Sequence, residues 1–467
     1  MTLNHLPTEE LQAIDAAHHM HPFTHSHALA KKGTRIITKA RGVFLTDSDG
    51  NEILDGMSGL WCVNIGYGRD ELAEAAARQM KQLPYYNTFF QTSHVPAIEL
   101  AQKLVELTPE PFTQVFFNGS GSDANDTNIR LVRQYWAAKG KPEKQVIIGR
   151  WNGYHGSTVG AASLGGMKAM HEQGAMPPAD IVHINQPDWW SEGGDMTPEE
   201  FGIARAQELA AKIDEIGEDR VAAFIAEPVQ GAGGVIVAPD SYWPEVSRIL
   251  AERDILFIAD EVICGFGRTG QWFGSQTYGL KPDIMTIAKG LSSGYAPIGG
   301  SMLTAEVAET IGGAGEFYHG YTYSAHPVSA AVALENLRIM QEEGLVERAG
   351  SEVAPYLAER WHDLGDHPLV GETKIKGLMA SLALTPDKAT RAGFAAGRGV
   401  AGEIGRDAAF ANRVVMRHVG DRMIIAPPLV ITHAEIDLLM ERARRALDDA
   451  HATLKDRGLL VPTNAVA

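Results

Sequence analysis

The chain has 467 residues, two of them cysteine, and 41 lysines and arginines against 58 aspartates and glutamates leave a net charge of −17. So acidic a surface lacks the basic face that phosphate binding needs, which excludes nucleic acid as a partner. No run of about 18 apolar residues occurs, which excludes a membrane-spanning helix, and at 45% hydrophobic the chain is long enough for two domains around a large core.

The opening stretch MTLNHLPTEELQ has no basic segment leading into an apolar one, so no signal peptide is expected and the chain reads as cytoplasmic. Cys62 and Cys264 show no metal-ligand spacing and read as two free thiols of a reducing compartment. His18, His19, His21, His25 and His27 cluster near the start. No cysteine or carboxylate is interleaved among them at ligand spacing, so no metal is expected.

Next along the chain, residues 42–46 and 52–55 flank Asp49-Gly50-Asn51 and read as a hairpin packed on a smaller domain. Short apolar runs follow at 115–117, 145–148, 221–225, 255–259 and 284–287. Continuous apolar runs mean strands buried on both faces, as in a parallel sheet covered by helices. Residues 60–330 therefore read as one large α/β domain with a mostly parallel central sheet. Between the strands, Ser122-Asp-Ala-Asn offers a hydroxyl cap, with Asp123 and Asp126 placed in the first turn. Ile129, Val132 and Trp136 then share a helical face. Residues 330–341 read as a helix, 377–384 and 423–425 as strands, and 435–450 as a charged amphipathic helix. Residues 1–59 and 331–467 would together make the smaller α+β domain.

Three features carry chemistry. The apolar run 255–259 ends in Asp260-Glu261, which puts a carboxylate at the C-terminal edge of a sheet, where α/β folds bind ligands. A helix cap would explain it too. A nucleotidase metal strand would need a G-x-x-x-x-G-K-[ST] loop, and none is present. Second, the run 284–287 leads to Lys289, followed by Gly-Leu-Ser-Ser-Gly rather than a helix surface. A lysine at the edge of a buried strand is a candidate for a depressed pKa and Schiff-base chemistry. Third, Gly119-Ser-Gly121-Ser122-Asp-Ala124 after a strand makes an anion site from free N–H groups and the helix dipole. The same residues fit a relaxed dinucleotide fingerprint, which leaves a nucleotide-dependent oxidoreductase as a rival. The next run ends in Gly149-Arg150 instead of the acid that a ribose needs, although an arginine could serve a 2′-phosphate. An anion nest, a strand-end carboxylate and a strand-end lysine together match pyridoxal phosphate, with its phosphate, its protonated ring nitrogen and its aldehyde.

The segments FIADEVICGFGRTG (257–270) and PDIMTIAKG (282–290) resemble the signature of class III aminotransferases, pyridoxal-phosphate enzymes of fold type I. The resemblance covers nearly the whole chain. GMSGLWCVNIGYGR (56–69), WNGYHG (151–156), EPVQGAGG (227–234) and HGYTYSAHP (319–327) are similar to the ω-amino acid:pyruvate branch. Residues 146–174 resemble its bacterial putrescine and polyamine:pyruvate members.

That resemblance implies roles. Lys289 would bond the cofactor aldehyde and then carry the proton between substrate carbon and cofactor. Asp260 would pair with the pyridinium nitrogen, Gly121 and Ser122 would hold the phosphate, and Thr322 would reach the phosphate of the neighbouring subunit, so each site would need a homodimer, alone or paired into a tetramer. Tyr154 would stack on one ring face, Val262 would pack on the other, Gln230 would contact the ring hydroxyl and Glu227 would sit close by. Taken singly, Tyr154 and Trp61 read as core aromatics, Thr322 in Tyr-Thr-Tyr as half of a strand, Gln230 as a turn residue, and Arg417 as a surface arginine beside Asp421. In the family Arg417 would pair with a substrate carboxylate through its planar fork, swinging in for the keto acid and out for the amine. Trp61, Tyr154, Phe23 and Phe89 would make aromatic walls. The expected reaction moves an amino group from a terminal amine, putrescine or another polyamine, to pyruvate by a ping-pong route, giving an aminoaldehyde and L-alanine. β-Alanine, taurine or an aryl-alkyl amine are alternative donors within the branch, and a non-catalytic binding protein is a further rival.

Overall fold

The computed structural model describes residues 6–174, 178 and 180–463. Its fifteen strands form three sheets. The first joins β1 (Ile37–Arg41), β2 (Phe44–Asp47) and β3 (Glu52–Asp55) to β13 (Val414–Val415). The second holds β4 (Phe112–Asn118), β5 (Val146–Arg150), β6 (Ile181–Ile184), β7 (Val221–Ala226), β8 (Leu256–Asp260), β9 (Ile284–Ile287) and β10 (Gly299–Thr304) in the order β4-β10-β9-β8-β7-β5-β6. The third pairs β11 (Val370–Lys376), β12 (Met379–Leu384), β15 (Arg422–Ile425) and β14 (Arg417–Val419), all antiparallel.

The seven-stranded sheet runs parallel from β6 through β5, β7 and β8 to β9. Only β10 is reversed, antiparallel to both β4 and β9. Alternation along β8 explains its burial: Leu256 and Ile258 enter one core, Phe257 and Ala259 the other. The first of these cores also takes Leu131, Val132 and Trp136 from the helix Gly121–Ala138; the second takes Leu209 and Trp243 from the helices Pro198–Ile216 and Tyr242–Ala251. Covering both faces is what lets a parallel sheet consist of almost unbroken apolar runs. Two strands lack that signature. β6 is IVHI, with a polar residue in its middle, and β10 begins with two glycines and carries a serine.

The hairpin forms between β2 and β3, its turn held by Asp47, whose carboxylate accepts from the N–H groups of Asp49 and Asn51 at 3.0 and 2.8 Å. β13 adds to β3 in parallel, so the chain's first strands pair with its last third. The C-terminal helix His433–Asp456 starts on a capping box, with Thr432 and Glu435 satisfying each other's backbone N–H groups. One helix start differs from the sequence expectation. The cap after β4 is Ser120 rather than Ser122, its hydroxyl accepting from Asp123 N–H at 3.2 Å, so the helix opens at Gly121. Asp126 consequently leaves the first turn and instead accepts from Ala161 N–H at 2.8 Å.

Candidate active site

β8 delivers Asp260, the segment after β9 delivers Lys289, and the turn after β4 delivers Gly119–Ser122, all to one cavity of about 820 Å³ at the C-terminal edge of the parallel strands. Tyr154, Glu227, Val262, Phe23, Trp61 and Arg417 also line it. Arg417 reaches the site from β14 of the third sheet, and Phe23 from an N-terminal strap between the helices Thr8–His18 and Ser26–Lys32.

The carboxylate of Asp260 is buried and its lone pairs are largely spoken for. Oδ2 accepts from His155 Nδ1 at 2.7 Å and Asn125 Nδ2 at 2.9 Å, and Oδ1 accepts from Val262 N–H at 3.1 Å. Three donors on one carboxylate fix its orientation toward the cavity. Lys289 is surrounded by protein and open only to the cavity. Burial holds its amine below the ordinary lysine value; Arg417 pushes the same way, while Cys62, Asp260 and Glu227 oppose the shift. Its backbone sits at φ +43°, and two other wall residues, Trp61 (+65°) and Phe23 (+47°), share that left-handed region. A non-glycine residue there carries strain, which clusters at functional sites.

The turn after β4 is a close-fitting cradle. A Cβ on Gly121 would stand 2.9 Å from Val262 Cγ2, and one on Gly299 would stand 2.6 Å from the backbone of Ser120. Ser122 Oγ accepts from Ser157 N–H at 3.1 Å, tying the cradle to the loop that carries Tyr154. Glu227 has both oxygens committed, to Tyr154 N–H at 3.0 Å and Gly231 N–H at 2.9 Å, and burial raises its pKa. It fixes the backbone beneath Tyr154. Phe23 meets Tyr154 edge to face, ring centroids 6.4 Å apart, at the cavity mouth. Arg417 is largely enclosed, which lowers its pKa, and it makes no ion pair among the described residues. Asp421, its expected surface partner, instead caps the helix Val400–Ala411 through Gly399, Ala401 and Gly402 N–H groups at 2.9, 3.0 and 3.1 Å.

A phosphate cradle, a hydrogen-bonded carboxylate and an enclosed lysine in one cavity fit pyridoxal phosphate: the space at Gly121 exists only because no Cβ fills it. Three residues expected in the site lie off this chain's own cavity. Gln230 is buried, its Nε2 donating to the Trp151 carbonyl at 3.1 Å. Thr322 is not half of a strand but part of an exposed turn, its carbonyl accepting from Tyr85 Oη at 2.8 Å. Phe89 packs against Gly320 and Phe90 rather than on the cavity wall. In return the fold brings in residues that spacing does not reveal. His155 and Asn125 bond to Asp260 across 105 and 135 positions, and Cys62, Met167 and His418 join the wall.

Arg150, the residue that could have served a nucleotide phosphate, is buried and donates to the Glu227 carbonyl at 2.5 Å, so the dinucleotide reading loses its anchor. Residues 27–447 match the family described as aminotransferase class-III. The chain is 60% identical over 447 residues to the putrescine–pyruvate aminotransferase of Pseudomonas aeruginosa, covering 96% of this chain and 98% of that one. It is 40% identical over 459 residues to the diaminobutyrate–2-oxoglutarate transaminase of Halomonas elongata, covering 95% and 96%. Among solved structures, the omega transaminase of Pseudomonas jessenii in complex with PMP superposes with a TM-score of 0.92 at 41% identity, covering 95% of this chain and 99% of that one. An (S)-enantioselective omega-transaminase from Thermomicrobium roseum gives 0.91 at 42%, covering 95% and 99%. With sequence, superposition and site geometry in agreement, the chain belongs to the class-III aminotransferases, enzymes of fold type I whose cofactor is pyridoxal phosphate.

Proposed function

We propose that the enzyme moves an amino group from a terminal amine, putrescine or a related polyamine, to pyruvate, releasing an aminoaldehyde and alanine by a ping-pong route. The observation that carries this reading is Arg417. It is a guanidinium without an ion-pair partner among the described residues, in a cavity to which Phe23, Leu60, Trp61, Tyr154 and Met167 contribute apolar wall and whose other arginine, Arg406, is paired with Glu403 and Asp407. Such a wall suits the methylene chain of an amine without a carboxylate, and the lone fork suits the carboxylate of a keto acid. The 60% identity to a putrescine–pyruvate aminotransferase favours this donor over β-alanine, taurine or an aryl-alkyl amine. A net charge of −17 also favours cationic donors through long-range, salt-dependent attraction.

When bound, pyridoxal phosphate supplies an aldehyde for the amine and an electron-withdrawing ring. The chain's own residues do the rest. Gly121, Ser122 and the helix N-terminus hold the phosphate end. Asp260, oriented by His155, Asn125 and the Val262 N–H, would pair with the ring nitrogen. Tyr154 and Val262, both on the cavity wall, would pack against the ring faces. Lys289, its amine made easier to deprotonate by burial, takes the proton from the substrate carbon and returns it at the cofactor carbon. Gln230, which lies outside the cavity lining, would reach the ring hydroxyl only through its Oε1, the one polar atom of its side chain without a partner among the described residues. Arg417 turns inward for pyruvate and outward for the amine.

Thr322 completes the phosphate site of a partner subunit, which makes the working unit a homodimer. Its exposed turn adjoins Tyr85, Tyr323 and Phe90, a patch of aromatic surface (Phe90 is 90% exposed) of the kind that a second subunit covers. Residues 60–330 form the large domain; residues 1–59 with 331–467 form the small one. The enzyme works in the cytoplasm, with Cys62 and Cys264 as free thiols.

A donor panel with alanine formation as the readout tests the substrate reading. Putrescine or another polyamine should give the highest kcat/KM with pyruvate as acceptor, and a clear preference for β-alanine, taurine or an aryl-alkyl amine would overturn it. Borohydride treatment followed by peptide mapping should place the reduced cofactor on Lys289. A label elsewhere, or a Lys289→Ala variant that turns over donors at the unaltered rate, would remove the assignment.

A further inference from the structure

The histidine run at the N-terminus acquires a carboxylate that its spacing does not announce. The helix Thr8–His18 ends with the His19 N–H donating to the Asp15 carbonyl at 2.9 Å, which places the His19 and Asp15 side chains one turn apart on the same face. His19 itself is extended (φ −116°, ψ 118°). In an extended segment, residues two apart share a side, so His21 points the same way as His19. His19 Nδ1 lies 3.1 Å from Asp15 Oδ1, His21 Nε2 lies 2.8 Å from Asp15 Oδ2, and the two ring centroids are 4.1 Å apart. One ligand atom from each of the three lies within 4.8 Å of the others. The carboxylate is held from behind by Thr34, whose hydroxyl donates to Oδ2 at 2.6 Å.

We infer that Asp15, His19 and His21 form a binding site for a divalent transition metal of the zinc type. Two imidazoles and one carboxylate are the donor set of a three-ligand zinc site, and the absence of a thiolate suits zinc, nickel or cobalt better than softer ions. Ligands about 2.0–2.1 Å from a tetrahedral ion stand roughly 3.3 Å from one another. The His19 and His21 contacts of 3.1 and 2.8 Å are hydrogen bonds to the two different oxygens of Asp15, and an ion would replace them by drawing three ligand atoms now within 4.8 Å of one another to that spacing. His19 has 60% of its side chain exposed, against 21% for His21 and 19% for Asp15, so the fourth position faces solvent and takes water. Thr34 acts as a positioning residue that fixes the carboxylate. The remaining histidines do not converge with it: His25 caps the helix Ser26–Lys32 and pairs edge to face with His27.

The site has a consequence for the strap. His21 is followed directly by Pro22 and Phe23, both on the wall of the active-site cavity. A metal here would staple the strap to the helix Thr8–His18 and hold Phe23 against Tyr154.

Calorimetric titration of the tag-free, EDTA-treated holoenzyme with Zn²⁺ tests this, with Co²⁺ and its visible absorption as a second probe. One ion per chain should bind. His19→Ala and His21→Ala should each weaken binding about tenfold or more, Thr34→Val should weaken it less, and His27→Ala should leave it unchanged. Zinc should raise the melting temperature of the unaltered enzyme and not that of His21→Ala. Binding that is equal in the unaltered chain and in His21→Ala, or that is lost in His27→Ala, would overturn the assignment. Melting of the metal-free variants at the unaltered temperature shows that the substitutions have not disturbed the fold.

Discussion

Replacing Arg417 by alanine separates the two half-reactions. The guanidinium has no ion-pair partner among the described residues and sits where burial already lowers its pKa, so nothing in the protein competes with a keto acid for it. Two parallel charge-assisted hydrogen bonds to a carboxylate contribute ~1.5–3 kcal/mol each. Taking about 3 kcal/mol for the pair, after the cost of drying the carboxylate, gives a loss of ~150-fold in kcat/KM for pyruvate. The donor amine has no carboxylate, so its kcat/KM should change by less than about threefold, which a ping-pong scheme measures independently. Stopped-flow absorbance of each half-reaction reads both numbers. Arg417→Lys keeps the charge but loses the fork and should fall between the two. Stability should hold or rise slightly, because the deletion removes a poorly hydrated cation. Equal losses for amine and pyruvate would refute the reasoning, since they would make Arg417 a general support of the site and not a carboxylate receptor.

Gly121→Ala should loosen the cofactor, because the new Cβ meets Val262 Cγ2 at 2.9 Å and Cγ1 at 3.2 Å. Overpacking of this kind costs about 1–3 kcal/mol, so cofactor lost on dialysis should rise by tenfold or more and be restored by excess pyridoxal phosphate. Glu261 is fully buried, with Gly274 and Ser275 N–H groups on its oxygens, and burial pushes its pKa up to about 7 from 4.5. A raised pKa means that the protonated form is favoured by folding. Its contribution is therefore complete below about pH 4.5 and is lost as pH climbs to about 7, a change of roughly 3 kcal/mol at 1.36 kcal/mol per pH unit. Glu261→Gln should flatten the fall in stability between pH 5 and 8 in denaturant unfolding, and an unchanged slope would count against it. Trp361 is wholly buried and donates to the Ser381 carbonyl at 3.1 Å, so Trp361→Ala should cost about 3–5 kcal/mol and lower the melting temperature by several degrees in calorimetry.

Lys289 and Asp260 are legible in the sequence because each follows a mostly apolar run, and a buried parallel strand advertises itself by carrying no charged residue until it reaches the edge. β10 and β6 are not legible for the converse reason: glycines, a serine and a histidine interrupt their runs. The anion turn is legible as a type of structure, yet its cap falls on Ser120, two residues before the expected one, because a helix boundary depends on which of several adjacent hydroxyls finds an N–H. His155 and Asn125 escape altogether. Their meeting with Asp260 depends on a helix, a loop and a strand end converging at one sheet edge, and no local pattern encodes that. Asp15 escapes differently. It lies inside the helix that ends at His18, ahead of the histidine run, and only the extended backbone at His19 folds the rings back onto it.

The left-handed backbone at Phe23, Trp61 and Lys289 bears on redesign of the substrate range. Ordinarily, carving a side chain down to glycine costs stability twice, through the hole it leaves and through the extra freedom of the unfolded chain. At Phe23 and Trp61 a glycine would also release a torsional penalty of about 1–2 kcal/mol, offsetting much of the second cost. At those two positions the release of twist therefore lowers the cost of making room for a bulkier amine, most of all at exposed Phe23, whereas Lys289, bound to the chemistry, must bear its twist.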